Sequence, residues 1–169
     1  MGRTRSRRVL VVAGMALAVV LIVAVTGPAD ATDVDGDRER HCVVEVTDVR
    51  NGVFVTGPET CFDTEAEVAR LAGQGVLARS SGNTTIGVHY TSTGFGGSSI
   101  TIVGTSCAGG VWYPTGSWNN NLESTRRHCG GSPTTFYDSS SCSGGPYEVY
   151  SQRTSLGSMN NKPSCVRYG

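Results

Sequence analysis

Apolar and polar positions divide this chain into four stretches. Residues 9–25 are apolar and carry no charge, whereas residues 32–40 are charged and show no apolar period. Residues 41–77 contain two β-branched runs and then a short helical pattern. From residue 86 to residue 169, short apolar runs alternate with Gly, Ser and Asn, which is typical of short strands joined by tight turns. The pattern as a whole predicts a mostly β protein.

The stretch 41–77 predicts a small ββα unit that begins with a hairpin. Residues 42–49 and 53–56 are rich in Val, Phe and Thr, as strands are. Between them lies Asn51-Gly52, a pair that favours the positive φ angles of a type I′ turn. We therefore expect two antiparallel strands joined by a two-residue turn.

A short helix follows the predicted hairpin. Thr64 precedes Glu67 by three residues, the spacing of a helix-capping box. This predicts a helix over residues 65–71 that Gly73 ends. Because so short a helix is not stable alone, it must pack on the hairpin or on the next domain. Residues 78–85 are polar and are interpreted as a linker.

The first 31 residues have the layout of a secretory signal peptide. Four arginines precede the apolar run, Pro28 breaks a helix after it, and Ala29 and Ala31 are the small residues that a signal peptidase requires. Cleavage is predicted after Ala31, with residues 32–40 as a disordered start of the mature chain. The alternative is an uncleaved membrane anchor, because 17 apolar residues are many for a signal peptide and few for a full span.

Removal of residues 1–31 changes the charge balance. The whole chain has 14 basic and 14 acidic residues; the segment takes away four arginines and Asp30, which leaves 10 basic and 13 acidic residues. A net charge near −3, with Lys162 as the one lysine, argues against nucleic acid as a partner. No stable membrane association is expected after cleavage, and the oligomeric state is open.

The cysteines predict disulfides. All six lie after the predicted signal peptide, at Cys42, Cys61, Cys107, Cys129, Cys142 and Cys165. An even number in an exported chain is typical of a disulfide framework, and the absence of any Cys-x-x-Cys pair disfavours zinc. Six cysteines allow fifteen pairings. We favour pairing in sequence order, first with second, third with fourth and fifth with sixth.

The C-terminal part contains one unit twice. Residues 88–99 align with residues 135–146 at an offset of 47, with Tyr90 on Tyr137 and Gly97 on Gly144. The ends of the two units also align, at an offset of 41: Trp-Asn-Asn-Asn-Leu-Glu-Ser at 118–124 matches Met-Asn-Asn-Lys-Pro-Ser-Cys at 159–165. A duplicated unit of about 40 residues with four short strands indicates two Greek keys that share a core.

The pattern Tyr-x6-Gly with a later Asn/Asp-Asn/Asp-x-x-Ser/Thr-Ser resembles the βγ-crystallin Greek-key motif. The resemblance covers about residues 86–168, and the Asn-Asn endings are similar to those of small secreted actinobacterial proteins of this class. It implies a mostly β fold, with a two-Greek-key βγ-crystallin-like sandwich over residues 86–169 preceded by the ββα unit.

The same resemblance implies calcium as a candidate cofactor. In microbial βγ-crystallins the Asn/Asp-rich turns of the two keys build two calcium sites between them. The matching positions here are Asn119, Asn120, Glu123, Asn160, Asn161 and Ser164. Glu123 stands where the motif has Ser or Thr, and all four Asx positions are neutral asparagines. Since calcium affinity follows ligand charge, we expect weak sites, on the order of 10⁻⁴ to 10⁻³ M, or turns with a structural role alone.

Catalytic residues are not predicted. His41 and His128 adjoin cysteines, and His89 is expected on the strand face opposite Val88 and Tyr90. No Gly-x-Ser-x-Gly context appears in the sequence. The chain is therefore interpreted as a secreted, non-enzymatic structural or stress module.

Two other functions remain open at the level of sequence. A proteinase inhibitor of the metalloproteinase type would present the segment 108–117 to an extracellular protease, and a killer-toxin-like antimicrobial would share the fold. Trp112 and Tyr113 are either an exposed contact patch or buried. Trp118 is expected in the core because it matches Met159.

Overall fold

The computed structural model describes residues 38–74, 84–107, 109–127, 129 and 131–169. The expected signal peptide (1–31), most of the expected disordered start (32–40) and the first part of the expected linker (78–83) lie outside the described residues. Within the described part of the chain, no helix is long and apolar enough to cross a membrane.

Strands dominate the fold, as the apolar pattern predicts. The described residues form eleven strands: β1 (His41–Arg50), β2 (Val53–Thr56), β3 (Thr60–Phe62), β4 (Thr84–Ser92), β5 (Gly96–Gly104), β6 (Gly110–Trp112), β7 (Ser124–Arg127), β8 (Thr134–Tyr137), β9 (Tyr147–Val149), β10 (Gln152–Arg153) and β11 (Cys165–Tyr168). They also form one α-helix, α1 (Glu65–Gln74), and three short 3₁₀ helices at Thr93–Phe95, Gly116–Trp118 and Gly157–Met159.

Eight of the strands form two antiparallel groups. Sheet A has the order β10-β7-β4-β5, and sheet B has the order β6-β11-β8-β9. The first hairpin joins them, since β1 pairs in parallel with β5 and β2 pairs in parallel with β6. A bulge between Val46 and Asp48 bends β1 from one sheet into the other. β3 pairs with the first half of β1.

The two repeat copies exchange one strand each. Copy one supplies β4, β5 and β7 to sheet A and β6 to sheet B; copy two supplies β8, β9 and β11 to sheet B and β10 to sheet A. In a plain Greek key all four strands share one sheet. Here the third strand of each copy lies in the sheet of the other copy, so neither sheet is complete without both copies.

Backbone conformation repeats along with the topology. At the offset of 47, Phe95 (φ 65°) corresponds to Cys142 (φ 52°). At the offset of 41, Asn120 (φ 57°) corresponds to Asn161 (φ 58°). Positive φ is uncommon outside glycine. The glycine pairs Gly97/Gly144 and Gly116/Gly157 also share positive φ, so the duplication extends to the strained turns.

The inner faces of both sheets and of the hairpin form the main core. Its largest members are Phe54, Ile86, Ile100, Ile102, Trp112, Trp118, Leu122, Phe136, Leu156, Val166 and Tyr168. Trp118 is 3% exposed and Met159 is 8% exposed, so the expectation that these equivalent residues are both core is confirmed. A Cβ at Gly110 would collide with the Phe54 ring, and glycine therefore allows β2 and β6 to lie side by side.

The predicted hairpin is present. β1 and β2 pair in antiparallel fashion, with Arg50 opposite Val53. Asn51 has φ 52° and Gly52 has φ 76°, the two positive angles that a type I′ turn requires. Because β1 and β2 also pair with β5 and β6, the hairpin shares its sheets with residues 84–169. The domain boundaries stay a prediction.

The predicted helix begins where expected but is longer. The Glu67 N–H donates to Thr64 Oγ1 (3.3 Å), and the Thr64 hydroxyl donates to Glu67 Oε2 (2.9 Å), which closes the N-terminus. The expected end at residue 71 was wrong, because α1 continues through Gly73 to Gln74. An interior glycine costs only about 1 kcal/mol relative to alanine. The packing of Ala72 in the last turn offsets that cost.

α1 packs on the outer face of sheet A. Its residues Val68 and Ala72 form a second small core with Val43 of β1 and Val103 of β5. β4 begins at Thr84, so the last two residues of the expected linker belong to a strand.

Three disulfides pair the cysteines in the expected order. They join Cys42 to Cys61, Cys107 to Cys129 and Cys142 to Cys165. The first links directly opposed residues of β1 and β3. The third fixes the positive-φ turn of copy two to β11. By the chain-entropy estimate, each loop of this size stabilises the fold by about 3 kcal/mol.

Candidate cation-binding turns between the two copies

The expected calcium ligands lie on two equivalent turns, which we call the paired turns (residues 119–123 and 160–164). Each turn follows a 3₁₀ helix that starts at a glycine in the left-handed region, Gly116 (φ 56°) or Gly157 (φ 59°). The second residue of each turn is an asparagine in the same region, Asn120 or Asn161. Asparagine tolerates this conformation better than most residues.

Backbone hydrogen bonds hold the paired turns against each other. The Asn120 N–H donates to the Pro163 carbonyl (3.1 Å), and the Asn161 N–H donates to the Leu122 carbonyl (2.9 Å). Leu122 and Pro163 are equivalent positions and both are buried. The contact is therefore reciprocal, as an approximate two-fold axis between the copies requires.

Side chains of four predicted ligands meet across this contact. The Ser164 hydroxyl donates to Asn120 Oδ1 at 2.8 Å. The Asn161 amide donates to Glu123 Oε1 at 2.6 Å. Each pair takes one residue from each copy. The four residues therefore form two polar clusters that both bridge the copies, and neither cluster lies within a single copy.

The other two predicted ligands stand apart from these clusters. Asn119 is exposed, and its backbone N–H caps the first 3₁₀ helix by donating to Gly116. Asn160 is half-buried, and its Oδ1 accepts from the Ser155 hydroxyl of its own copy at 3.3 Å. The contacts shown for these two residues are therefore local to their own copies.

The two clusters differ in charge. The Asn120/Ser164 cluster offers an amide oxygen and a hydroxyl oxygen, both neutral. The Glu123/Asn161 cluster contains a carboxylate, and the amide of Asn161 can turn its oxygen toward a cation, since amide orientation follows the hydrogen-bond partner. Hard cations such as Ca²⁺ take oxygen ligands, and carboxylates bind them most strongly. The donor set is therefore chemically compatible with Ca²⁺, and the Glu123/Asn161 cluster, which carries the negative charge, is the better match of the two.

A second group of potential metal ligands does not fit a metal. Cys42, Glu59 and Cys61 place ligand atoms within 4.8 Å of one another. Both sulfurs belong to one disulfide, so neither is a thiolate that could bind an ion.

Glu59 has a structural contact that sequence reasoning missed. The Trp118 indole N–H donates to Glu59 Oε2 at 3.0 Å, although Trp118 is 3% exposed. This bond ties the loop before β3 to the residue that precedes the first paired turn. A long-range bond of this kind leaves no local signal in the sequence.

Glu65 connects α1 to sheet A near the same turn. Its Oε1 accepts from the Tyr90 hydroxyl (2.7 Å) and from the Arg126 guanidinium (3.3 Å). The guanidinium lies 5.2 Å from the Tyr90 ring centroid and also donates to the Tyr90 hydroxyl. Burial and the Glu65 carboxylate raise the pKa of Tyr90. The Tyr90 carbonyl accepts from the Glu123 N–H at 2.8 Å, which links this network to the paired turns.

His89 faces the core, opposite to Tyr90, as the strand alternation predicts. It is fully buried between the sheets, with Trp112 stacked on it at 5.6 Å and Phe136 edge-on at 5.5 Å. The Thr125 hydroxyl donates to the Val88 carbonyl, so its oxygen must accept from His89 Nδ1 (2.9 Å). This tautomer leaves His89 Nε2 to accept from the Tyr168 hydroxyl (2.6 Å). Burial lowers the pKa of His89 to about 3.

The segment 108–117 is only partly a loop. Residues 110–112 form β6 inside sheet B, and Trp112 is 6% exposed. Tyr113 is 38% exposed. Of the two aromatics considered as a contact patch, Trp112 is therefore core and Tyr113 is at the surface.

Comparisons with known proteins give structural likenesses only. A single-residue mutant of a βγ-crystallin domain from Clostridium beijerinckii is 18% identical, over 48% of this chain and 96% of that one, with a TM-score of 0.40. The N-terminal domain of Protein S is 20% identical, over 48% of this chain and 91% of that one, also with a TM-score of 0.40. No protein-family model and no curated protein matches the chain. Likenesses this distant do not establish a family.

Proposed function

We propose that this chain is an exported, non-enzymatic structural module of the βγ-crystallin type whose paired turns bind Ca²⁺ weakly. The observation that carries the proposal is the cross-copy pairing of Asn120 with Ser164 and of Asn161 with Glu123. A cation held there would cross-link the two copies, because each cluster takes a ligand from both. Calcium would then act on the stability of the whole sandwich.

The charge at the clusters supports weak binding. Glu123 is the one carboxylate among the six candidate ligands, and Lys162 lies within the second turn. Few charged ligands and solvent access are typical of extracellular modules with millimolar affinity. Such sites are filled where calcium is abundant, outside the cell.

Export is part of the proposal and rests on two features. The sequence of residues 1–31 has the basic, apolar and small-residue regions of a signal peptide. The described cysteines all form disulfides, which persist in oxidising compartments. Sequencing the N-terminus of protein recovered from culture medium tests it, with Thr32 as the expected first residue. Full-length chain retained in the membrane fraction would contradict it.

The alternative functions gain no specific support. An inhibitory loop at 108–117 needs exposed backbone, whereas residues 110–112 pair with β11, and Val111 also pairs with Val53 of β2. No feature of the described residues favours an antimicrobial toxin. The structural module is therefore the single function put forward.

Thermal unfolding with and without calcium tests the proposal. At about 10 mM Ca²⁺ and a Kd near 10⁻³ M, ligand linkage gives between 1 and 2 kcal/mol, which raises Tm by several degrees. Mg²⁺ at the same concentration is expected to raise Tm much less. An unchanged Tm at 10 mM Ca²⁺ would leave the paired turns with a structural role alone.

Two variants distinguish the clusters. Glu123→Gln is expected to remove most of the calcium-induced rise in Tm, and Ser164→Ala is expected to remove a smaller part. Glu148→Gln makes the same neutralisation at an exposed residue of β9, outside the paired turns, and is expected to leave the rise unchanged. If Glu148→Gln reduced the rise as much as Glu123→Gln does, general surface charge would explain the effect.

A further inference from the structure

The outer faces of the two sheets occupy equivalent positions, but the described residues cover only one of them. In sheet A, α1 lies on the outer face, where Val103 is fully buried and Tyr90 is 1% exposed. In sheet B, the residue equivalent to Val103 is Tyr150, which is 65% exposed. The α-helix of the described residues is already engaged on sheet A. Among the described residues, the sheet B face thus repeats the surface on which α1 packs, but with no helix on it.

The pairing registers establish this equivalence residue by residue. His89 pairs with Ile100 in sheet A, and Phe136 pairs with Tyr147 in sheet B, both at the offset of 47. Three positions further along the chain lie Val103, within β5, and Tyr150, the residue directly after β9. The comparison therefore rests on observed strand pairs as well as on sequence alignment.

The polar part of the docking surface is also repeated. In copy one, the Arg126 guanidinium lies 5.2 Å from the Tyr90 ring, and in copy two the Arg167 guanidinium lies 5.4 Å from the Tyr137 ring. Tyr90 and Arg126 both bond the Glu65 carboxylate at the first turn of α1. The equivalent pair, Tyr137 and Arg167, makes no ion pair within the described part of the chain.

We propose that the outer face of sheet B, defined by Tyr137, Glu148, Tyr150 and Arg167, binds an amphipathic helix of a partner protein through a carboxylate in the first turn of that helix. The carboxylate takes the place of Glu65 and bonds the Tyr137 hydroxyl and the Arg167 guanidinium. Apolar residues three and seven positions later take the places of Val68 and Ala72 and cover Tyr150. Tyrosine and arginine are also the residue types that most often anchor interfaces.

Charge and area define the partner further. Glu148 is exposed and accepts from the Tyr150 hydroxyl at 2.9 Å, whereas its equivalent in copy one is the neutral Thr101. A basic residue in the partner helix can pair with Glu148, and a second acidic residue there is disfavoured. Val43 of β1 has no counterpart beside β9 in the described residues. The surface is therefore smaller than that under α1, and the complex is weak and transient.

A peptide copied from α1 tests the proposal on the full chain. The probe is a synthetic peptide of residues 63–74 with capped ends and a hydrocarbon staple between the exposed positions 66 and 70, with helicity checked by circular dichroism. At about 1 mM peptide, the amide resonances of Tyr137, Tyr150 and Arg167 are expected to shift. The peptide with Glu65→Gln is expected to bind roughly tenfold more weakly, because a charge-assisted bond is lost.

Matched protein variants locate the contact. Arg167→Gln is expected to weaken binding of the unmodified peptide roughly tenfold, as the loss of the same charge-assisted bond predicts. Arg153→Gln removes the same charge from exposed β10 of sheet A and is expected to leave binding unchanged. Shifts confined to the surroundings of Tyr90, or no shifts at all, would overturn the proposal. Concentration-dependent shifts of Tyr137 and Tyr150 without peptide would assign the face to a second copy of this chain and would also overturn it.

Discussion

At the scale of single residues, His89 shows how a polar side chain is accommodated in a fully buried position. Its two ring nitrogens, the Tyr168 hydroxyl and the Thr125 hydroxyl form one chain of hydrogen bonds that ends at the Val88 carbonyl. Every polar group in that chain has a partner, as burial requires. The equivalent residue in copy two is Phe136, so the network belongs to one copy only.

The buried imidazole makes stability depend on pH. Folding lowers the pKa of His89 from 6.5 to about 3, because burial disfavours the charged ring. The unfolded chain therefore binds a proton below about pH 6.5 that the folded chain does not bind, and stability falls as pH drops from 6.5 toward 3. Between pH 7 and pH 4.5 the expected loss from this residue is about 3 kcal/mol.

Urea unfolding at pH 7 and pH 4.5 measures this contribution. His89→Gln is expected to be less stable at pH 7 but to lose much less between the two pH values than the unmodified chain does. His41→Gln, at the half-buried start of β1, is expected to keep the full pH dependence. Equal pH dependence in the unmodified chain and in His89→Gln would show that other groups govern acid sensitivity.

At the scale of elements, α1 is held to sheet A by one carboxylate as well as by apolar packing. Tyr90 and Arg126 both direct their polar groups at Glu65, and the Arg126 guanidinium also lies 4.3 Å from the Phe95 ring. The ion pair itself is partly exposed, at 39% and 42% for the two side chains, so solvent screens it. The Tyr90 hydroxyl is buried, so losing its acceptor costs more stability than losing the exposed ion pair does.

Neutralising this carboxylate tests its role. Glu65→Gln is expected to reduce the free energy of unfolding by about 1 kcal/mol, because the Tyr90 hydroxyl loses a charged acceptor. Glu67→Gln makes the same change two residues later and keeps a capping-box residue, so its effect is expected to stay within about 0.5 kcal/mol. Urea denaturation at pH 7 compares them. Equal losses in both variants would mean that Glu65 acts through helix charge alone and not through Tyr90.

Sequence patterns correctly predict those features that depend only on neighbouring residues. The Asn51-Gly52 turn and the Thr64–Glu67 cap each depend on a few neighbouring residues, and both are present. The offset of 41 predicts the paired turns for a related reason, since Asn120 and Asn161 adopt the same left-handed conformation. The end of α1 was missed because Ala72 packs on distant strands, which outweighs the tendency of Gly73 to end a helix.

Long-range pairings left no such signal. Nothing near Glu59 or Glu65 indicates that they meet Trp118 and Tyr90, which lie far along the chain. The sequence predicted how the six cysteines pair. It did not predict which interaction in copy one takes the place of the third disulfide. Cys142 and Cys165 occupy the positions of Phe95 and Ser124, which are joined in copy one by a hydrogen bond from the Phe95 N–H to the Ser124 hydroxyl.

At the scale of the whole molecule, the first hairpin protects two sheet edges. β1 covers β5 and β2 covers β6, and without them both strands would present unpaired backbone groups. Sheet edges of this kind recruit strands from other molecules. The N-terminal residues therefore contribute to keeping neighbouring molecules apart as well as to the core.

Removing the hairpin and α1 tests this role. A chain that starts at residue 82 keeps the disulfides of Cys107 and Cys142 but exposes β5 and β6. It is expected to form dimers or larger species in size-exclusion chromatography at concentrations where residues 32–169 elute as a smaller species. A truncated chain that elutes as a monomer with native near-ultraviolet circular dichroism would contradict the expectation.

The position of β1 also has a consequence for the order of folding. The ribosome makes the hairpin before its partner strands, since β2 ends at Thr56 whereas β5 begins at Gly96 and β6 at Gly110. β1 and β2 can form their own turn at once, but they can pair with β5 and β6 only after the intervening chain has been made. Closing these long loops therefore limits the last step of folding. During that interval the hairpin has unpaired strand edges, which are prone to aggregation. The strands that protect the edges of the native sheets are thus unprotected themselves until those sheets have formed.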